Sequence, residues 1–468
     1  MPYGDFSLNP YQYRENVSRV LFQMGRVQLD SDFNEQTESS LRFLRALGTD
    51  VIGLHGALDG GFKILPGAGQ VPFNVRYGVY YVDGIRVVHA PFQSVWEIAG
   101  TDATKTQENA NEYKSGFPAT EDDEHFLGLN LKPTVSQLLY LAVWERHVSA
   151  AEADEIREVA LLGPDTTTRA VVTWQIRSIP LQPFEQLVQE NFKDWETTLF
   201  PLADPNQPKW DVNYVALNYL LRSSALMTAK AKENQELEAC EISPEARFRG
   251  LENRLYRVEI HSTDLPKPTF KWSPDNAAIV YPIRKVEYTT VHLESLGLDD
   301  RTAIRKNDWV EVVDEDVLLR PRPNGENNAL RRVVDIDRHR LTVTLDKKPE
   351  HDAGTHERPI LRRWADDAQP LDENKPIELS DGVEVNFSQA DTPKGGFRVG
   401  DYWLIPARTA TGDVIWPQTK VKPPVPLPIP PHGLDVHYAP LARWTVDSAG
   451  KGTFEDLRRR FQSMAVKV

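Results

Sequence analysis

Residues 79–92 read VYYVDGIRVVHAPF, and this stretch decides the fold class. Two runs of β-branched and aromatic residues flank Asp83-Gly84, the kind of dipeptide that fills both positive-φ positions of a tight type I′ turn, so the sequence predicts a β-hairpin. The texture holds on both sides: from Val51 to Val95 glycines punctuate short β-type runs. Residues 100–125 are polar, acidic and without period, which reads as a mobile loop.

Further along, QLLYLAVWERHV (137–148) and TRAVVTWQIRSI (168–179) read as two buried strands of one sheet, joined by the acidic link 149–167. Between about 181 and 240 the period turns helical. Phe184, Leu187 and Val188 share a face there, and residues 213–239 fit one longer helix or two. From Phe248 the chain returns to short strands. RLYRVEIH (254–261) alternates, TFKWS and AAIVYPI follow, and 308–321 and 330–349 are split by turn residues, which together suggest a small barrel or sandwich. A further β unit spans about 358–417. Beyond it, KVKPPVPLPIPPHG (420–433) favours an extended polyproline path that either spaces two parts or lies along a neighbouring surface.

The expected fold is therefore α+β, predominantly β and multi-domain, with small barrel or sandwich units and one helical section. Its parts are an N-terminal helix plus β domain (1–180), the helical section (181–247), a small barrel or sandwich (248–350), a β unit (351–417), and a proline-rich arm with a C-terminal segment (418–468). A chain of 468 residues is long enough for several cores of that size. The net charge of −14 with scattered cations argues against nucleic acid. No apolar run reaches the ~20 residues that span a bilayer, and the first residues lack signal-peptide features, so synthesis in the cytoplasm is expected, without direct membrane insertion.

One short segment invites a metal reading. In VLFQMGRVQLDSDFNEQ (20–36), Asp30, Asp32 and Asn34 alternate as in a calcium loop, but Glu35 stands where that loop needs glycine and Leu41 where it needs its bidentate glutamate. Asp32 as N-cap with Glu35 as its capping-box partner, at the head of a helix over 33–47 that stops at Gly48, is the better account. Leu41, Leu44 and Leu47 recur along that helix at three-residue steps.

Other chemistry has little footing. His351 with His356 and His432 with His437 lack helical metal-site spacing and read as solvated loop residues; the lone Cys240 reads as a small buried apolar group. No nucleophile elbow, phosphate loop or dinucleotide turn is present. Trp144, Trp174, Trp272, Trp309 and Trp403 sit in predicted strands and read as core. The expectation is no catalytic residue, no cofactor and no metal.

Several signatures resemble one family. The 20–36 stretch is similar to the amino-terminal signature of an uncharacterised domain family of phage-tail-like contractile injection gene clusters, with comparable openings in phage tail and fibre-attachment proteins. YYVDGIRV, LYLAVWERHVSA, REVALLGPDTTTRAVVTWQIR, CEISPEARFRGLENRLYRVEIH, GDYWLIPARTATGDVIWP and PPHGLDVHYAPLA continue it in order. Met24 departs from it, where a second glutamine is common, and so does SPDNAAIV (273–280), which replaces a more usual arginine and glycine-serine pattern. The resemblance implies a non-enzymatic structural or adaptor component, associated with a baseplate or fibre, present in several copies, and assembled in the cytoplasm before release or membrane association with its particle. Its partners would be other subunits, docked through Tyr13, Phe22, Arg26 and Asp30. The alternatives are a cargo or effector and a module binding cell-surface glycan at a fibre tip.

Overall fold

The computed structural model describes residues 3–8, 17–66, 73–90, 117–118, 135–192, 211–232, 247–264, 267–314, 329–349, 359–448 and 452–462. Strands hold 41% of the described residues and helices 15%, so the protein is predominantly β with a minor helical part, as the patterning predicts. Two compact units form. One combines residues 1–39, 145–171 and 223–435, and the other combines 40–144, 172–222 and 436–468.

In the first unit a closed six-stranded barrel is built from Val280–Glu287, Thr290–Leu293, Thr342–Leu345, Arg331–Asp337, Trp309–Val313 and Ile360–Trp364, taken in order around the ring. Tyr281, Val291, Val310, Val333, Val343 and Leu361 fill it. A sandwich accompanies the barrel. Its larger sheet centres on Arg254–Ser262, between Thr269–Ser273 and Tyr402–Arg408, and its smaller sheet joins Ile377–Glu378, Val383–Gln389 and Ala225–Ala231. Side chains alternate across a pleated strand. Tyr256, Val258 and Ile260 therefore enter the sandwich core with Phe270, Phe387 and Trp403, while Arg257 and Glu259 point to the opposite face, where they too are buried.

The proline-rich segment lies along this unit. Trp416 Nε1 donates to the Leu427 carbonyl at 3.0 Å and Trp403 Nε1 to that of Ile429 at 3.0 Å, and Ile429 bridges to Met227.

In the second unit Gly78–Val82 pairs with Ile85–His89 in the predicted hairpin, Val82 facing Ile85. Asp83 and Gly84 both have positive φ, 48° and 75°, as a type I′ turn requires. A four-stranded sheet contains Gly452–Asp456, His437–Val446, Gln137–Val148 and Arg169–Pro180, so the two long apolar runs are neighbours in one sheet as expected. Helices α2 (Leu181–Phe192) and α3 (Val212–Leu221) belong to this unit, and the Phe192 and Tyr219 rings meet edge-on at 5.2 Å.

Helix α1 runs Asp30–Ile52, not 33–47. It passes through Gly48 and ends at Gly53, whose φ is +97°. Gly48 serves close approach instead: a Cβ there would stand 3.3 Å from Gly84 Cα, and one on Gly84 would collide with the Arg45 backbone. The second difference is at 225–231. That stretch is an edge of helix-forming residues drawn into a strand, pairing with Val383–Gln389 and alternating buried with less buried side chains. Trp144, Trp174, Trp272 and Trp403 are buried core rings, and Trp309 is half-buried. The 100–125 loop lies outside the described residues except Phe117–Pro118, which pairs with Phe73–Val75; Tyr13, Cys240, His351 and His356 lie outside them too.

Candidate partner-docking site

In the first unit the 17–29 segment is an arm folded about one turn. Arg26 N donates to the Gln23 carbonyl at 3.3 Å, with Met24 and Gly25 at the tip and Gly25 at φ +73°, the position a type II turn gives to glycine. Gln36 Oε1 accepts from Val20 N at 2.8 Å and so ties one limb to α1. Every residue from Leu21 to Asp30 is exposed. Leu21 is 71%, Met24 101% and Val27 85% accessible. The Phe22 ring leans on Phe33 at 5.2 Å, which leaves one face of each ring outward. Contiguous apolar exposure of this kind is what interaction surfaces present and isolated soluble surfaces avoid.

The base of the arm is held polar group by polar group. Asp32 stands at the third helical position, not at the N-cap: its Oδ2 accepts from the Leu29 amide at 3.2 Å, the reciprocal half of a capping box with aspartate in the glutamate's place. Asp30 Oδ2 accepts from Ser7 N at 2.9 Å. Burial works to raise the Asp30 carboxyl, but the Ser7 hydroxyl and amide outweigh it and hold it below the usual range. Residues two apart on a helix point about 200° apart, so Asp30, Asp32 and Asn34 cannot converge on an ion. Among the described residues no group of three or more His, Cys, Asp or Glu side chains is placed to hold a metal.

Ser7 belongs to an N-terminal segment, residues 3–8, that reaches into the same unit. The Tyr3 ring lies 4.0 Å from the Arg257 guanidinium and 3.5 Å from that of Arg362, and Tyr402 covers Arg257 at 3.8 Å. Asn276 Nδ2 donates to the Gly4 carbonyl at 3.0 Å, and Arg408 donates to that of Ser7. Beneath Tyr3 the ion pairs continue: Arg257 to Glu259 at 2.7 Å, Lys271 to Glu259 at 3.3 Å and to Glu311 at 2.8 Å. Trp364 Nε1 also donates to Glu311, at 2.9 Å. Burial alone would lift the Glu259 carboxyl, yet Lys271 and Arg257 hold it down at about 2. Such a network is costly to break and gives the segment one seat.

The second unit has its own polar constellation. Asp83, at the hairpin tip, accepts from His437 Nδ1 at 2.6 Å, Tyr214 Oη at 2.5 Å and Arg222 at 3.1 Å. Asp211 caps α3 through the amides of Asn213 and Tyr214 and meets His55 Nε2 at 2.9 Å. Burial raises the Asp83 carboxyl, but its donors prevail and hold it below the usual range. A carboxylate so fully engaged is a brace for α3 and a weak proton acceptor. The two C-terminal histidines therefore are not solvated: His437 is in this brace, and His432 Nδ1 accepts from Leu404 N at 2.9 Å. Burial and the nearby Arg257 push His432 down to about 4.

Of the residues expected to dock a partner, Phe22 and Arg26 are on the arm with their side chains outward, Asp30 is at its base engaged with Ser7, and Tyr13 is outside the described residues. Sequence reasoning missed Leu21, Met24 and Val27, whose signal was an apolar run with neither helical nor strand period next to a helix start. A family model, described as a family of unknown function (DUF6519), matches residues 3–196 and 216–468. No curated protein and no solved structure matches the chain.

Proposed function

We propose, for a chain that belongs to the DUF6519 family, a family of unknown function, that it is a non-enzymatic structural or adaptor subunit of a larger assembly, docked through its 17–29 arm. The assembly is a contractile, phage-tail-like particle, with this chain at the baseplate or a fibre; the signature stretches quoted above support that choice. The observation that carries the docking role is the exposed apolar tip, Leu21, Met24 and Val27, held on a base whose polar groups are satisfied. A rigid base lowers the ordering cost of association, and each large apolar side chain buried on docking is worth about 1.5–3 kcal/mol before that cost.

The glycan-tip alternative draws little from Trp144, Trp174, Trp272, Trp309 and Trp403, since four of these five strand tryptophans are buried. A cargo differs from a subunit in being dispensable for assembly. Particles purified from a strain carrying Met24→Asp with Val27→Asp should show this chain at reduced occupancy, with the purified variant still folded. Unchanged occupancy would remove the arm from docking, and intact particles from a deletion strain would make the chain a cargo.

A further inference from the structure

We infer that the arm's partner includes a second copy of this chain, which offers the acidic apolar knob at residues 154–163; this rests on the docking role proposed for the arm. The knob lies in the same unit and is made of two short 3₁₀ turns, Asp154–Ile156 and Val159–Leu161. Val159 is 84%, Leu161 63% and Leu162 98% accessible, three outward apolar side chains in four residues.

The knob is preorganised. Gly163 N and Leu161 N both donate to the Glu158 carbonyl, at 2.9 and 3.2 Å, and Leu162 N donates to that of Val159 at 3.0 Å. The Glu158 side chain caps Ala160 N at 2.9 Å. Arg157 ties the ends together, pairing with Asp154 at 2.8 Å and donating to the Gly163 carbonyl at 3.3 Å. Leu162 itself sits at φ 72°, a conformation a bulky residue holds only when its surroundings fix it. A loop shaped this firmly to expose leucine presents a surface for contact.

Charge selects the occupant. Around the knob, Asp154, Glu155, Glu158 and Asp165 outnumber Arg157, whereas the arm from 17 to 29 carries Arg19 and Arg26 and no acid. One tip is apolar within a basic setting and the other is apolar within an acidic one. They are complementary, and an acidic knob is poorly suited to an anionic lipid surface. Because the two tips are different patches, an arm-to-knob contact can repeat from copy to copy, as particle subunits require.

Sedimentation velocity on the full chain tests this. The wild type should associate as concentration rises, less so at high salt, and Met24→Asp or Leu162→Asp should each weaken association at least tenfold. A mixture of those two variants retains one intact arm and one intact knob and should pair again. Arg26→Glu and Asp165→Arg should each weaken association, and the double variant should recover it. A wild type monomeric at all concentrations, or single variants that associate normally, would overturn the inference. Flotation of a monomeric wild type with phosphatidylcholine–phosphatidylglycerol vesicles would overturn it in favour of a lipid. If self-association fails while the arm variants still lose particle occupancy, the arm docks another subunit and only this inference falls. If self-association holds and occupancy is unchanged, the docking reading falls instead.

Discussion

The Tyr3 hydroxyl donates to Glu259 Oε2 over 3.0 Å, joining side chains 256 positions apart in the chain. Glu259 already answers Arg257 and Lys271, so the tyrosine completes a buried charge cluster instead of merely covering it. Tyr3→Phe should cost about 1.5–3 kcal/mol, the worth of one hydrogen bond to a charged group. Tyr3→Ala also removes the ring from between two guanidiniums and leaves a cavity, and should cost about 3–5 kcal/mol. Urea denaturation of the full chain reads both, and equal effects would mean the ring is not seated.

Glu259→Gln should be worse than Tyr3→Phe, at about 3–5 kcal/mol, because it strands the buried Arg257 guanidinium and leaves Lys271 with Glu311 alone. The pH dependence has a definite sign. Glu259 has a folded value of about 2, below the unfolded value of about 4.3, so its contribution is fully present above pH ~4.3 and is lost as pH falls through about 2. The wild type should therefore lose stability over the variant's baseline in that window. A difference that stays flat from pH 5 to 2 would contradict the ion pairing.

Asp401 has the opposite sign. Its carboxyl is buried, bonded to Ser223 Oγ at 2.5 Å, and raised by burial to about 7. A raised folded value stabilises fully below the unfolded value, about 3.9, and that contribution is lost as pH rises through about 7. Asp401→Asn, which cannot ionise, should gain melting temperature relative to wild type between pH 5 and pH 8. The same offset at both pH values would show that the carboxyl is already charged at pH 5.

At the start of α1 the structure assigns the cap interaction to Asp32 through the Leu29 amide and gives Glu35 no such role. Asp32→Ala should cost about 0.5–1 kcal/mol by thermal denaturation, and Glu35→Ala clearly less. The reverse ranking would restore the capping box with Asp32 at the N-cap.

How far the sequence could be read follows from which signals are local. Asp83-Gly84 announces its hairpin because turn geometry is a two-residue matter, and the barrel strands are legible for the same reason. Ala225–Ala231 is not, because its alanines, methionine and lysine favour a helix and only the partner strand Val383–Gln389 overrides them. The leucines at 41, 44 and 47 give the helix but not its buried side: Leu44 and Leu47 are exposed, and Ser39 is the one residue of α1 described as buried. Arg257 and Glu259 look like the solvent side of an alternating strand. Their cover arrives from Tyr3 and from the barrel strands at 311 and 362, contacts no local window contains.

The arm makes the sharpest separation between stability and assembly. Leu21, Met24 and Val27 contribute little buried area to the chain itself, so replacing Met24 and Val27 with aspartate should move the melting temperature by no more than about 1–2 °C, as surface changes do. The same change should shorten retention on a hydrophobic-interaction column, because the outward apolar surface is what the resin sees. Stability and retention are thus expected to part company. A fall of several degrees would mean that the arm is packed as core, and the docking role would lose the exposed surface it depends on.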